Sequence, residues 1–177
     1  TVFLIFLQPH QNVLSKQGLR YRNYSMKKNP LQKLRLLYKK VKETHQQQKI
    51  DLIHVFWGQN AVHASVLKYF FSIPYLVHLQ GSDATYIAHI QFGIFKNRWL
   101  RWIWNWAYRR ASMVVALTAF QAKALGQYYS GQDVKVIPYG VDTKLFQPVP
   151  KPKSSTYQLL HVASLNKVKN QKMLIDT

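Results

Sequence analysis

The sequence predicts an α/β fold, a doubly wound parallel sheet, on three observations. Short runs rich in β-branched residues alternate with segments of helical periodicity. Several of those runs are apolar without a break, as suits strands covered on both faces rather than one. The runs end in clusters of Gly, Pro, Ser or Asp that stop the chain and turn it.

The elements follow in order. Val2 to Leu7 is a continuous apolar strand, and residues 8–29 are polar and irregular. From Pro30 the spacing changes, with Leu31, Leu34, Leu37, Tyr38 and Val41 at threes and fours. That is an amphipathic helix with proline at its start and Lys33, Arg35, Lys39, Lys40 and Lys42 on its other face. Asp51 to Phe56 reads as a strand, and Trp57 and Gly58 turn the chain into a helix from about Asn60 to Phe70. Ser72, Ile73 and Pro74 break that helix, and Tyr75 to Leu79 forms the next strand. A loop from Gln80 to Asp83 leads into an aromatic region that is helical towards Tyr108. Ser112 to Leu117 is a strand, Thr118 caps a helix over 119–129, and Val134 to Ile137 is the last strand of the sheet. Pro138 then removes a backbone donor, and Gly140 is expected to take an angle closed to other residues. Pro148, Pro150 and Pro152 alternate with lysines in a stiff, solvated connector. The predicted organisation is therefore one domain over 1–147, a linker at 148–156, and the opening strand (157–163) and helix (from Asn170) of a second domain. Both ends read as cuts in a longer chain.

Composition narrows the chemistry. A hydrophobic fraction of 47% fills a core and excludes disorder. The 25 Lys and Arg stand against 6 Asp and Glu, a formal net charge of +19, so the partners sought are polyanionic: nucleic acid, anionic membrane, or phosphorylated small molecules. There is no cysteine, which removes thiolate catalysis and disulfide frameworks and suits a cytoplasmic protein. No apolar run approaches the ~20 residues of a membrane span.

In open parallel sheets, ligands sit beyond the carboxyl ends of the strands. Three such ends carry unusual chemistry: Trp57 with Gly58, the segment His78 to Asp83, and Tyr139 to Asp142. His78 closes an apolar strand and is followed by Gly81, Ser82 and Asp83, small groups that let a substrate approach the backbone. Its imidazole can hydrogen-bond hydroxyls or place a proton near a leaving group. Taken alone, it reads first as a strand-end histidine satisfied by backbone, as do His54, His63 and His89.

Four stretches in this order, DLIHVFWG at 51–58, HLQGSD at 78–83, VKVIPYGVDTKLF at 134–146 and LLHVASLNKVKN at 159–170, resemble the family 4 glycosyltransferases. These are retaining enzymes of the GT-B fold, with two Rossmann-like domains. The resemblance implies that His78 faces the donor and acceptor as the catalytic histidine. It places Gly81, Ser82, Asp83, Trp57, Gly58, Tyr139 and Gly140 around the substrate. It sets Lys169 and Ser164 at the donor phosphates, where the family usually has Gly-Arg in place of Ala163 and Ser164. Lys167 is displaced by two positions from a matching role. The family's E-x7-E pair would fall beyond Thr177, and by itself this stretch is expected to be inactive. The implied partners are a nucleotide-sugar co-substrate and a glycan or lipid-linked acceptor in polysaccharide or glycolipid synthesis. No metal and no other cofactor is implied.

FGIFKNRWLRWIWNWAYRR, residues 92–110, holds four of the five tryptophans. Trp99, Trp102 and Trp106 share a helical face, fringed by Arg101, Arg109 and Arg110. That composition fits a peripheral contact with anionic membrane at its inner face, and fits a buried outer-layer helix as well. A basic nucleic-acid-binding module is the rival class. It has the charge but no RNP, helix-turn-helix or zinc spacing, so no nucleic acid is expected. A GT-B-like protein without transfer activity is the third reading.

Overall fold

The computed structural model describes residues 3–6, 20–23, 29–148 and 159–176, and they fall into two compact units, Thr1–Ile50 and Asp51–Thr177. The expected linker lies almost wholly outside the described residues.

In the first unit, β1 (Phe3–Phe6) pairs in parallel with β2 (Arg20–Asn23), in the register Phe3 to Arg20. The second strand falls inside the stretch expected to be irregular. Its sequence, RYRN, offers Tyr21 alone as a strand-favouring residue, and pairing with β1 supplies the rest. Helix α1 (Pro30–Gln47) begins where expected: the Asn29 side chain accepts from the Gln32 N–H at 2.9 Å, and Pro30 occupies the first turn. Val41 is its buried residue.

The second unit holds a four-stranded parallel sheet in the order β3 (Ile53–Phe56), β4 (Tyr75–His78), β5 (Met113–Ala116), β6 (Val134–Val136). A 3-10 turn over Gly58–Asn60 leads into α2 (Ala61–Phe71), which ends at Ser72 in the left-handed region (φ 54). The crossover from β4 to β5 runs through α3 (Arg98–Arg110), and that from β5 to β6 through α4 (Ala119–Gly126). Thr118 caps α4 as expected, its hydroxyl accepting from the Gln121 N–H at 3.1 Å.

Strand residues alternate between faces, and one face feeds the core. Val55, Tyr75, Val77, Val114 and Ala116 join Ala61 and Ala64 of α2, Ala107 and Tyr108 of α3, and Leu125 of α4 in one buried cluster. Tyr75 is fully buried, its hydroxyl donating to the Ala107 carbonyl and meeting the Ser65 hydroxyl at 2.6 Å. The other face of β3 departs from the expectation of two-sided cover, because His54 and Phe56 are exposed there. Among the described strands of this unit, β3 pairs on one side only, with β4.

The expected strand at 157–163 is absent over its described part, 159–163. Leu159, Leu160 and Val162 are almost fully exposed, and no described strand lies alongside to pair with them. A short helix α5 (Gln171–Ile175) follows at the expected place.

Candidate functional site

Because the four strands are parallel, their carboxyl ends share one edge, and the loops leaving it carry the expected groups. Phe56 and His78 are cross-strand partners in the ladder, and His54 lies on the same face as Phe56, two residues earlier. The rings stack: His54 on Phe56 at 4.2 Å, His54 on His78 at 5.5 Å with only 7° between planes, and Phe56 on His78 at 5.5 Å. From the loop after β6, the Tyr139 ring approaches His78 to 5.4 Å. The Tyr139 hydroxyl donates to the Gln80 side-chain carbonyl, tying the loop after β6 to the loop after β4. His78 and Tyr139 thus stand together on one wall.

His78 is 8% exposed, and its Nε2 is buried without a hydrogen-bond partner among the described residues. A buried polar atom left unpaired costs roughly 1–3 kcal/mol, which a hydroxyl or water reaching this nitrogen would relieve. The His54 ring, stacked on Phe56 and His78 although the residue is exposed overall, has its pKa lowered from 6.5, first by this partial desolvation and then by the nearby His78 imidazole.

The loop is held by Asp83. Its carboxylate is fully buried and accepts from three backbone N–H groups: Gly58 at 2.7 Å, Gly81 at 2.7 Å and Gln80 at 2.9 and 3.1 Å. It joins the loop after β3 to the loop after β4 and shapes the ground on which His78 stands. Asp83 and Gly58 are expected at the substrate, but both point inward. A Cβ on Gly58 would lie 1.8 Å from the Tyr108 hydroxyl, so this glycine is required by packing. Tyr108 donates to the Asp83 carbonyl at 2.8 Å, and burial, with the Asp83 carboxylate adding to it, pushes its phenol well above 10.0. Within the loop the Asp83 side chain reaches back to the N–H groups two and three residues before it.

Gly81 has φ +144 with open space around it, so the backbone there is accessible. Ser82 uses its carbonyl to accept from the Ile94 N–H at 2.9 Å, anchoring the approach to α3. Trp57 is 46% exposed and sits at φ 68, ψ 119, a strained backbone for a non-glycine. Gly140 corrects an expectation: it takes no positive φ, and a Cβ there would meet nothing within 4 Å. The turn is made instead by Asp142, whose carboxylate accepts from Lys144 N at 2.9 Å and Leu145 N at 3.3 Å.

The expected phosphate groups form a separate loop. Ser164 Oγ accepts from Asn166 Nδ2 at 2.9 Å, its carbonyl accepts from Gln171 Nε2 at 2.8 Å, and the Lys169 N–H bonds to Asn166. The Lys169 side chain is exposed. Among the described residues no three His, Asp or Glu side chains gather as metal ligands.

The family model described as Glycosyltransferase Family 4 matches residues 6–145. Solved structures of Anabaena Alr3699/HepE match the fold. The one described as a complex with UDP and glucose has a TM-score of 0.62 at 22% identity, over 84% of this chain and 39% of that one. Those with UDP and with UDP-glucose both give 0.50, at 20% and 22% identity, over 72% and 75% of this chain and 32% and 33% of theirs. The chain therefore spans about two-fifths of the length of that neighbour, or less. No curated protein matches the sequence.

Proposed function

The chain belongs to glycosyltransferase family 4, and from that premise we propose that it serves the transfer of a sugar from a nucleotide-sugar donor to a glycan or lipid-linked acceptor. The strand-end wall at His78 is the acceptor-side half of the cleft. The observation that carries this reading is the unpaired, buried Nε2 of His78 at the carboxyl edge of a parallel sheet. An imidazole so placed gains a hydrogen bond when a sugar hydroxyl arrives, and it orients that hydroxyl or steadies the proton it gives up. Trp57, part-exposed on a strained backbone at the same edge, offers an indole face to a sugar ring. Lys169 lies on the donor side and neutralises the diphosphate as the sugar departs, which needs no metal ion. The transfer is of the retaining kind, in a pathway that builds surface polysaccharide or glycolipid at the cytoplasmic face of a membrane.

The test is turnover of UDP-glucose, the first donor to try, by the full-length protein and its His78→Ala variant. A fall in kcat of about 10²-fold or more with the affinity for UDP unchanged is the expected result. Undiminished turnover in the variant would overturn the role of His78. A second reading rests on Ser164, which stands where the family's arginine is usual: a protein that binds nucleotide sugar without transferring it. Tight UDP binding with no turnover of any nucleotide sugar by the parent would favour it.

A further inference from the structure

A strip of exposed aromatic surface lies on α3, away from the core. Trp99 is 83% exposed, Trp102 65% and Trp106 38%, while Ala107 and Tyr108 on the opposite side are completely buried. At 3.6 residues per turn the three indoles fall within about 60° of helical arc, and Arg98, Arg109 and Arg110 lie along the same strip. A helix that only covered a sheet would turn its indoles inward, and this one turns three of its four outward. Leu100 and, on the neighbouring α2, Tyr69 and Phe70 are exposed as well. The carboxyl ends of α2 and α3 adjoin, since Lys68 Nζ donates to the Arg110 carbonyl at 2.8 Å.

The charge around this strip has one sign. No Asp or Glu occurs between Asp83 and Asp133, whereas Lys96, Arg98, Arg101, Arg109, Arg110 and Lys123 all do. The ion pairs found among the described residues involve Glu43 alone, so no carboxylate neutralises an arginine of α3. Arg110 lies over the Trp106 ring at 5.5 Å, and Arg109 donates to the Ser130 carbonyl at 2.8 Å and to its hydroxyl at 2.7 Å.

We propose that α3 is an interfacial helix that seats the protein on an anionic phospholipid surface, with Trp99, Trp102 and Trp106 entering the headgroup boundary and the arginines binding lipid phosphates. Indoles suit that boundary because one edge is apolar and the other carries an N–H, and arginine binds phosphate through paired donors. Charge complementarity selects anionic over zwitterionic lipid. No described helix is long and apolar enough to cross a membrane, so the contact lies in the plane of the surface. The proposal deepens the reading above and rests on it for its purpose, since a lipid-linked acceptor resides at such a surface. The geometry suits that purpose. The Ile94 N–H to Ser82 carbonyl bond ties the approach to α3 to the His78–Asp83 loop, so the Trp99 end of the helix lies at the sheet edge that carries the site.

The test is co-sedimentation of the full-length protein with vesicles of phosphatidylglycerol and phosphatidylcholine, and with phosphatidylcholine alone, for the parent and for Trp99→Ser/Trp102→Ser and Arg98→Gln/Arg109→Gln. All four positions are exposed, so the variants fold, and unchanged UDP-glucose turnover on a soluble acceptor verifies it. The expected result is binding to the anionic vesicles only, reduced about tenfold or more by either double substitution and by raising salt to about 0.5 M. Equal binding to both vesicle types, or double variants that bind like the parent, would overturn the proposal. So would a tryptophan variant that loses a dimer or an oligonucleotide complex while keeping its lipid binding. Anionic-lipid binding through α3 in a protein that turns over no nucleotide sugar would uphold the surface and sink the enzymatic reading instead.

Discussion

Replacing Asp83 with asparagine changes one oxygen to an NH2 group and nothing in shape, which makes it a sharp test of the tie between the two loops. The carboxylate accepts from three backbone N–H groups and is fully buried. Whichever way an amide is turned, one N–H faces a donor. With the oxygen kept towards Gln80 and Gly81, the Gly58 N–H loses its acceptor at 2.7 Å. A buried N–H left unsatisfied costs about 1–3 kcal/mol, and the remaining bonds weaken from charge-assisted to neutral, by roughly 1 kcal/mol between them. Relief from burying a charge offsets part of this, leaving a loss of about 1–3 kcal/mol. Urea unfolding of the full-length protein, followed by far-UV circular dichroism near pH 7, measures it as a lower midpoint at unchanged slope. A midpoint within the error of the parent's would refute the reasoning, because Asp83 would then contribute nothing that asparagine lacks.

Gly58→Ala should destabilise by about 1–3 kcal/mol, because its methyl meets the Tyr108 hydroxyl. Tyr108→Phe in the same chain should recover part of that loss in a double-mutant cycle, and strict additivity would argue against the clash. For pH, His54 has a folded pKa below its ordinary 6.5, so the unfolded chain binds the proton first. Its contribution to stability is whole above pH 6.5 and is lost as pH falls through the depressed value. Unfolding midpoints of parent and His54→Gln across pH 4.5 to 7.5 should therefore converge in acid, on the order of the handful of tenths of a kcal/mol a part-exposed group supplies. At the alkaline end, Tyr108 is held neutral by burial, so stability should fall as pH rises past 10.0, less steeply in Tyr108→Phe. Trp57→Gly should relieve about 1 kcal/mol of backbone strain while raising the KM for acceptor, a split that a purely structural tryptophan would not give.

Most of the second unit was legible in the sequence because its signals are local. Pro74 before an apolar run, Thr118 before a helix, and the apolar run at 113–116 each determine their element within a few residues. What could not be read depends on partners distant in the chain. The polar β2 exists through pairing with β1, and the apolar run at 159–163 lacks such pairing. The same holds for the site. His78 and Tyr139 were named from strand-end position, and the structure does bring their rings together. The inward roles of Gly58 and Asp83 were hidden, because they depend on Tyr108, which arrives from α3. Gly140 was misjudged for a local reason: Asp142, two residues on, supplies the turn that the glycine was expected to make.

The sheet of the second unit has a property that bears on how the protein is made. Its strands stand in space in the order in which they leave the ribosome, β3 then β4 then β5 then β6, with none slotted between earlier neighbours. Each newcomer docks on the margin left by its predecessor, so assembly proceeds vectorially and never has to prise open a finished ladder. Until β6 is in place, the advancing side of the nascent sheet is the one that the next strand covers.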